Sequence, residues 1–378
     1  MTFGLCCVWK QRSYTDLKKT RRFHNIILVL IVACSLLGAC WVSGISTCHA
    51  VGEDGLPEPS ADKGFGVTCP PGMCRIPNGI LMGHRDMALG VHFVGEQGWI
   101  VGNSGLCIMT EDGGKGWVRV PFPDDESYKD VYFVGQKGWI VGERGIIVHT
   151  DDGGKTWNKQ TSNTTQTLMR VFFTDGNKGV AVGGDGTMIR TENSGGTWED
   201  IGLDWNMLIS DDLVEVGVIS INLYDVFFLT DTLGWIVGDA GTVVRTVDGG
   251  KQWSVVHMGP FPPLFSVCFR NDKQGLAVGS HGYSLKTEDG GESWERFKIG
   301  TENSLFKVVF DNEIGVAVGD LATIYKTVDG GTTWVEIPSN LPPPYPWFAD
   351  VWILPRDPRK ALSVGKSIIF GTDITSKR

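Results

Sequence analysis

Basic residues are scarce in this 378-residue chain: 34 Lys and Arg stand against 43 Asp and Glu, a formal net charge of -9. A nucleic-acid binder needs a basic footprint, so no nucleic-acid partner is expected. Long amphipathic helical patterns are missing too, which excludes helical bundles and coiled coils. No Ser nucleophile elbow, phosphate-cradling glycine loop or HExxH pair occurs, so the common hydrolase and nucleotide chemistries find no anchor. Cysteine counts for less than its nine copies suggest, because five lie at or before residue 48. Of the other four, Cys69 and Cys74 sit close together beside Pro70, Pro71 and Gly72. They are a candidate disulfide if the compartment is oxidising; zinc would need two further ligands nearby, and none is evident. No cofactor and no metal are expected.

Charge is unevenly spread. Residues 1–25 carry Lys10, Arg12, Lys18, Lys19, Arg21 and Arg22 against Asp16 alone. The charge-free run NIILVLIVACSLLGACWVSGIS follows at 25–46. A basic leader before an apolar run is the layout of an export signal or membrane anchor. Three endings fit. Leu37-Gly38-Ala39-Cys40 resembles a bacterial lipobox, which would lipidate Cys40. Cys48-His49-Ala50 would serve as an ordinary cleavage site. About 20 apolar residues would also span a bilayer as a retained anchor. Each ending puts the rest of the chain on the extracytoplasmic side, attached to or near a membrane. Residues 1–50 are thus read as signal or anchor, 51–74 as a tether rich in Gly and Pro, and 75–378 as the folded unit.

Glycine (51) and tryptophan (14) are abundant, and they recur in register. The phrase TDDGGKTW at 150–157 returns as TEDGGKGW, TENSGGTW, TVDGGKQW, TEDGGESW and TVDGGTTW. Its tryptophans are Trp117, Trp157, Trp198, Trp253, Trp294 and Trp334, about 40 residues apart except for one longer interval after Trp198. Each unit holds four short Val/Ile/Phe/Trp-rich segments punctuated by Gly or Asp-Gly, starting near Gly90, Asp130, Arg170, Asp225, Ser266, Lys307 and Asp350. Four strands per unit, seven times over, predict an all-β, seven-bladed β-propeller with antiparallel blades. The seventh copy lacks the DGGxxW hairpin. RIPNGILMG at 75–83 is expected to supply its missing outer strand and close the ring.

Within the phrase, Asp is expected to accept turn N–H groups, the glycines to take positive φ, and Trp to wedge one blade against the next. Six copies spread around a ring cannot converge on one substrate, so the phrase reads as structure. Asn193 in the third copy preserves an Asx turn but not a catalytic carboxylate. The long interval marks an insertion at 203–222, read as a loop. The residues that start each unit mix signs, which predicts mutual pairing in the central channel.

The DGGxxW hairpin resembles the Asp-box of sialidases. The whole repeat, with LYDVFF at 223–228, GWIVG at 234–238, GTVVRT at 241–246 and DGGKQW at 248–253, resembles the photosystem II stability/assembly factor family. The resemblance spans about 88–372. It implies a non-enzymatic propeller that acts as a scaffold on a membrane-protein complex: photosystem II in a photosynthetic host, otherwise an envelope complex or transporter. It also implies an arginine-rich contact patch. Here Arg190, Arg245, Lys286 and Lys326 hold one place in four consecutive copies, with Arg144 and Arg170 adding charge. These six are the candidate partner-binding residues. The alternatives are a sialidase-like glycoside hydrolase, for which Arg75 in CRIP is the one hook, and a carbohydrate-binding propeller.

Overall fold

The structure, a computed structural model, describes residues 74–76, 79–83, 85–120, 122 and 125–374. Cys40 and Cys69 lie outside the described residues, as do the side chains of Cys74 and Arg75, and so does the apolar run.

The described residues form seven antiparallel sheets with sequential strand order, one for each repeat. The first strands are Ala88–Val94, Tyr128–Val134, Leu168–Phe173, Leu223–Phe228, Leu264–Phe269, Leu305–Asp311 and Phe348–Ile353. Each packs on the first strand of the next sheet, and the seventh packs on the first, so the ring closes. The second strands, such as Gly234–Gly238, are buried along their length, with at most the first residue half-buried. They lie between neighbouring blades on both faces, which is why they read as unbroken apolar runs rather than alternating ones.

Closure uses more chain than one strand. Gly79–Leu81 pairs antiparallel with the last strand, Ile368–Asp373, and Cys74–Ile76 folds back on it as a fifth strand. The N-terminal segment is therefore a hairpin.

The repeated phrase is the turn between third and fourth strands, as its residues predict. In the second blade Asp152 Oδ1 accepts the N–H groups of Lys155 and Thr156, both at 2.9 Å, and the Thr150 hydroxyl at 2.7 Å. Gly153 and Gly154 take φ of 74° and 87°, which admits little but glycine. Asn193 does the same work in the third copy, accepting the Thr197 N–H at 2.9 Å.

The tryptophan of the phrase reaches the preceding blade, as expected: Trp198 Nε1 donates to Gln160 Oε1 at 3.2 Å, and Trp157 lies 5.4 Å from Phe122. Its indole stands edge-on to a phenylalanine of its own blade, as Trp294 does to Phe269 at 5.7 Å and 90°. A second wedge, present in three of the seven blades, is the tryptophan of GWIVG. Trp99, Trp139 and Trp235 stack flat on Phe133, Phe173 and Phe269 of the following blade, with centroids 3.4 to 3.6 Å apart. The phenylalanine thus offers its two aspects to two indoles, one from each blade. The two wedges differ in position: the second strand runs through the inter-blade core, whereas the phrase lies at its rim.

The 203–222 insertion contains two short helices, Trp205–Leu208 and Asp211–Glu215. Trp205 Nε1 donates to the Gly186 carbonyl at 3.0 Å and Leu213 is buried beside it. Met207 and Ile219 are exposed.

Candidate functional site

Seven first strands surround the channel, and five of the residues that start the repeats line it: Asp130, Arg170, Asp225, Lys307 and Asp350. Arg170 is the hub. Its Nη1 lies 2.9 Å from Asp130 Oδ1 and 3.1 Å from Asp350 Oδ2, and its Nε lies 3.1 Å from Asp225 Oδ1. Lys307 Nζ pairs with Asp225 at 3.0 Å, and the Ser266 hydroxyl donates to the same carboxylate at 2.7 Å. The mutual pairing read from the mixed signs is present.

Each acceptor on this ring also ties two blades together. Asp130, Asp225, Ser266 and Asp350 accept the N–H groups of Val171, Val267, Val308 and Val91, one blade further on. Where the preceding blade supplies a cation and so no acceptor, the aspartate also takes the N–H of its own neighbour: Val226 donates to Asp225 and Val351 to Asp350. Buried charge is tolerable only when paired and hydrogen-bonded, and all three carboxylates meet that condition. Burial opposes the Arg170 charge, but the three carboxylates overcome it and hold the guanidinium well above its ordinary value. Burial pushes Asp130 up against the pull of Arg170, whereas Lys307 and Arg170 overcome burial at Asp225 and bring it down.

Above this charged plug the channel opens into a cavity of about 440 Å³. Its mouth is on the face that carries the Asp-box turns, with Asp311 and Pro355 exposed at the rim. The wall is the residue two places after each ring position: His92, Tyr132, Phe172, Phe227, Cys268, Val309 and Trp352. This wall was missed in the sequence, although stacking the seven copies puts it in one column.

The six basic candidates do not come together. Arg170 is in the channel. Arg144 sits at the tip of a turn between second and third strands, on the face opposite the Asp-box turns, and pairs with Glu126. The other four share a register place on third strands, opposite Val180, Trp235, Leu276 and Val316. Two of them staple blades: Arg190 Nε donates to the Gly249 carbonyl at 3.2 Å and Arg245 Nε to the Gly290 carbonyl at 3.0 Å, each in the next blade's Asp-box turn. Their carboxylate partners are Glu192 and Glu292. Lys286 pairs within its own blade with Glu295 at 3.0 Å and Glu288 at 3.5 Å. In the second blade His149 holds the place, and burial lowers its pKa.

Residues 80–164 and 256–346 match the family described as photosynthesis system II assembly factor YCF48. The chain is a seven-bladed propeller that resembles the photosystem II assembly factors over these two stretches. Among solved structures, "YCF48 bound to D1 peptide" superposes with a TM-score of 0.63 at 18% identity, covering 79% of this chain and 96% of that one. YCF48 from Cyanidioschyzon merolae gives 0.61 at 18% identity, with 79% and 97% covered. The GH74 xyloglucanase from Xanthomonas campestris gives 0.62 at 14% identity, but only 52% of that chain is covered. No curated protein matches the chain at a significant level.

Proposed function

We propose that this chain is a non-enzymatic scaffold, held at the extracytoplasmic side of a membrane, that binds a membrane-protein complex during its assembly or operation. In a photosynthetic host that complex is photosystem II; elsewhere it is another envelope complex or a transporter. The observation that carries the reading is the assembly-factor match, which falls on two separate stretches of one closed ring. The D1 peptide bound by YCF48 in one similar structure supports a membrane-protein client. The basic leader and apolar run support the location. Attachment would run through that N-terminal segment, with Cys40 as the lipidated residue if the lipobox is used and Cys69–Cys74 closed as a disulfide.

The hydrolase alternative asks for two carboxyl groups flanking a substrate, one of them free to donate a proton. The channel aspartates are instead committed to Arg170, Lys307 and backbone N–H groups. That commitment favours the scaffold.

The test is a crosslinked pull-down from membranes with the full chain and with Lys286→Glu/Lys326→Glu. These two leave the Arg190 and Arg245 staples intact. The scaffold reading expects a membrane protein in the wild-type eluate and at least a several-fold loss with the variant if the third-strand row is the contact. Recovery of no membrane protein by the wild type would overturn the scaffold reading. Equal recovery by both would remove the third-strand row from it.

A further inference from the structure

We propose that the cavity at the Asp-box mouth of the channel is a binding site for an organic ammonium group. Such a site rests on the cavity alone and does not depend on the client complex.

Its wall is aromatic over five consecutive blades. Trp352, His92, Tyr132, Phe172 and Phe227 follow one another around the channel. Their ring centroids are 4.4, 4.5, 4.8 and 5.9 Å apart in that order. The fold itself asks only for a residue of moderate size here, since Val309 and Cys268 fill the same place in two other blades. An unbroken aromatic arc facing a cavity of about 440 Å³ is therefore more than blade packing requires.

The charge decides what kind of ligand suits it. Asp130, Asp225, Asp350 and, at the rim, Asp311 line the cavity against only Arg170 and Lys307. An anion, including a peptide carboxylate, would face an excess of negative charge. His92 adds no positive charge: burial holds its pKa down to about 3, and its Nε2 lies 3.1 Å from the Phe133 carbonyl. It presents a neutral ring like its neighbours. A cation with an apolar body meets aromatic rings on one side and three carboxylates against two cations below, and desolvated cation–π contacts are the strongest of their class. Two sources share this chemistry: a free quaternary ammonium compound, and a lysine side chain borne by a protein.

The experiment is isothermal titration of the full chain with choline, with its neutral isostere 3,3-dimethyl-1-butanol, and with N-acetyl-lysine methylamide. Either cation should bind at least about tenfold more tightly than the neutral isostere. Trp352→Leu should weaken cation binding at least about fivefold, and Trp352→Phe should retain most of it. Phe172→Leu is the second arm should Trp352→Leu fail to fold, as judged by its melting curve. Choline preferred over the lysine derivative points to a free ligand; the reverse order points to a protein-borne lysine. Equal binding of the neutral isostere, or no binding of either cation, would overturn the site.

Discussion

Arg170 shows how a single residue acts on the whole ring. It neutralises carboxylates from three blades, so its removal leaves Asp130, Asp225 and Asp350 facing one another with Lys307 alone. Arg170→Leu should cost about 3–5 kcal/mol at neutral pH, measured by denaturant unfolding. Without the guanidinium the carboxylates take up protons more readily, so the deficit should shrink as pH falls. A deficit that is constant from pH 7 to pH 4 would mean that lost packing, not lost charge, is responsible. The Asp-box carboxylates give the opposite case, exposed but hydrogen-bonded. Slight burial works against ionisation of Asp329, but the hydroxyls of Thr333 and Thr327 and the Thr333 N–H outweigh it and bring the pKa down to about 2. The unfolded value is about 3.9. The stability this aspartate adds is therefore complete above pH ~4 and lost as pH falls through about 2. Asp329→Asn keeps the turn, as Asn193 does in the third copy, but removes the titration. Urea unfolding at pH 6, 4 and 2 should show wild type and variant converging toward pH 2. A gap of equal size at all three values would sink this account.

At the scale of strands and turns, the second-strand tryptophans are buried throughout, while the Asp-box tryptophans range from buried, as Trp198 is, to half-buried. Trp235 is fully buried between blades, and Trp294 is half-buried at the rim. Trp235→Ala should cost about 3–5 kcal/mol in chemical unfolding, and Trp294→Ala distinctly less. The reverse order would make the Asp-box tryptophan the stronger of the two wedges. In the insertion, Trp205 and Leu213 are the anchors, so Trp205→Ala should raise hydrogen exchange across 203–222 while leaving the second strands protected. Met207→Ser, at a residue 84% exposed, should change stability by no more than about 0.5 kcal/mol. Sequence alone reveals the period, the blade count and the job of the Asp-box aspartate, because each repeats and each follows from local turn chemistry. It does not reveal that the second-strand tryptophan also crosses the blade boundary, since that tryptophan stands in only three of the seven copies. It also cannot tell that Arg190 and Arg245 reach into the next blade, because equivalent places in adjacent repeats read as one surface row until the blades are set side by side. The aromatic wall was visible as a column of the repeat, but strand propensity alone explains a Phe or Tyr there, so only the cavity gives the column a meaning.

For the molecule as a whole, the question is what keeps the ring shut. Contacts between the seventh blade and the first are of the kind made by every neighbouring pair, and they join residues some 260 positions apart in sequence. Asp350 accepting the Val91 N–H at 3.1 Å is one of them. Those contacts alone would leave the outer edge of Ile368–Asp373 unpaired, a row of free N–H and C=O groups. The N-terminal hairpin covers that edge, with Gly79, Ile80 and Leu81 opposite Phe370, Ile369 and Ile368. Beside it, Met82 donates its N–H to the Ser367 carbonyl at 2.9 Å and is buried with Leu354, Leu362 and Ile369 of the last blade. Deleting 74–81 spares that core contact but strips the edge. The shortened protein should still fold, melt on the order of 5 °C lower, and self-associate with rising concentration in sedimentation, because the bare strand templates pairing with another copy. If the deletion leaves both melting and association unchanged, the ring is held by its first strands alone, and the hairpin is an appendage rather than a clasp.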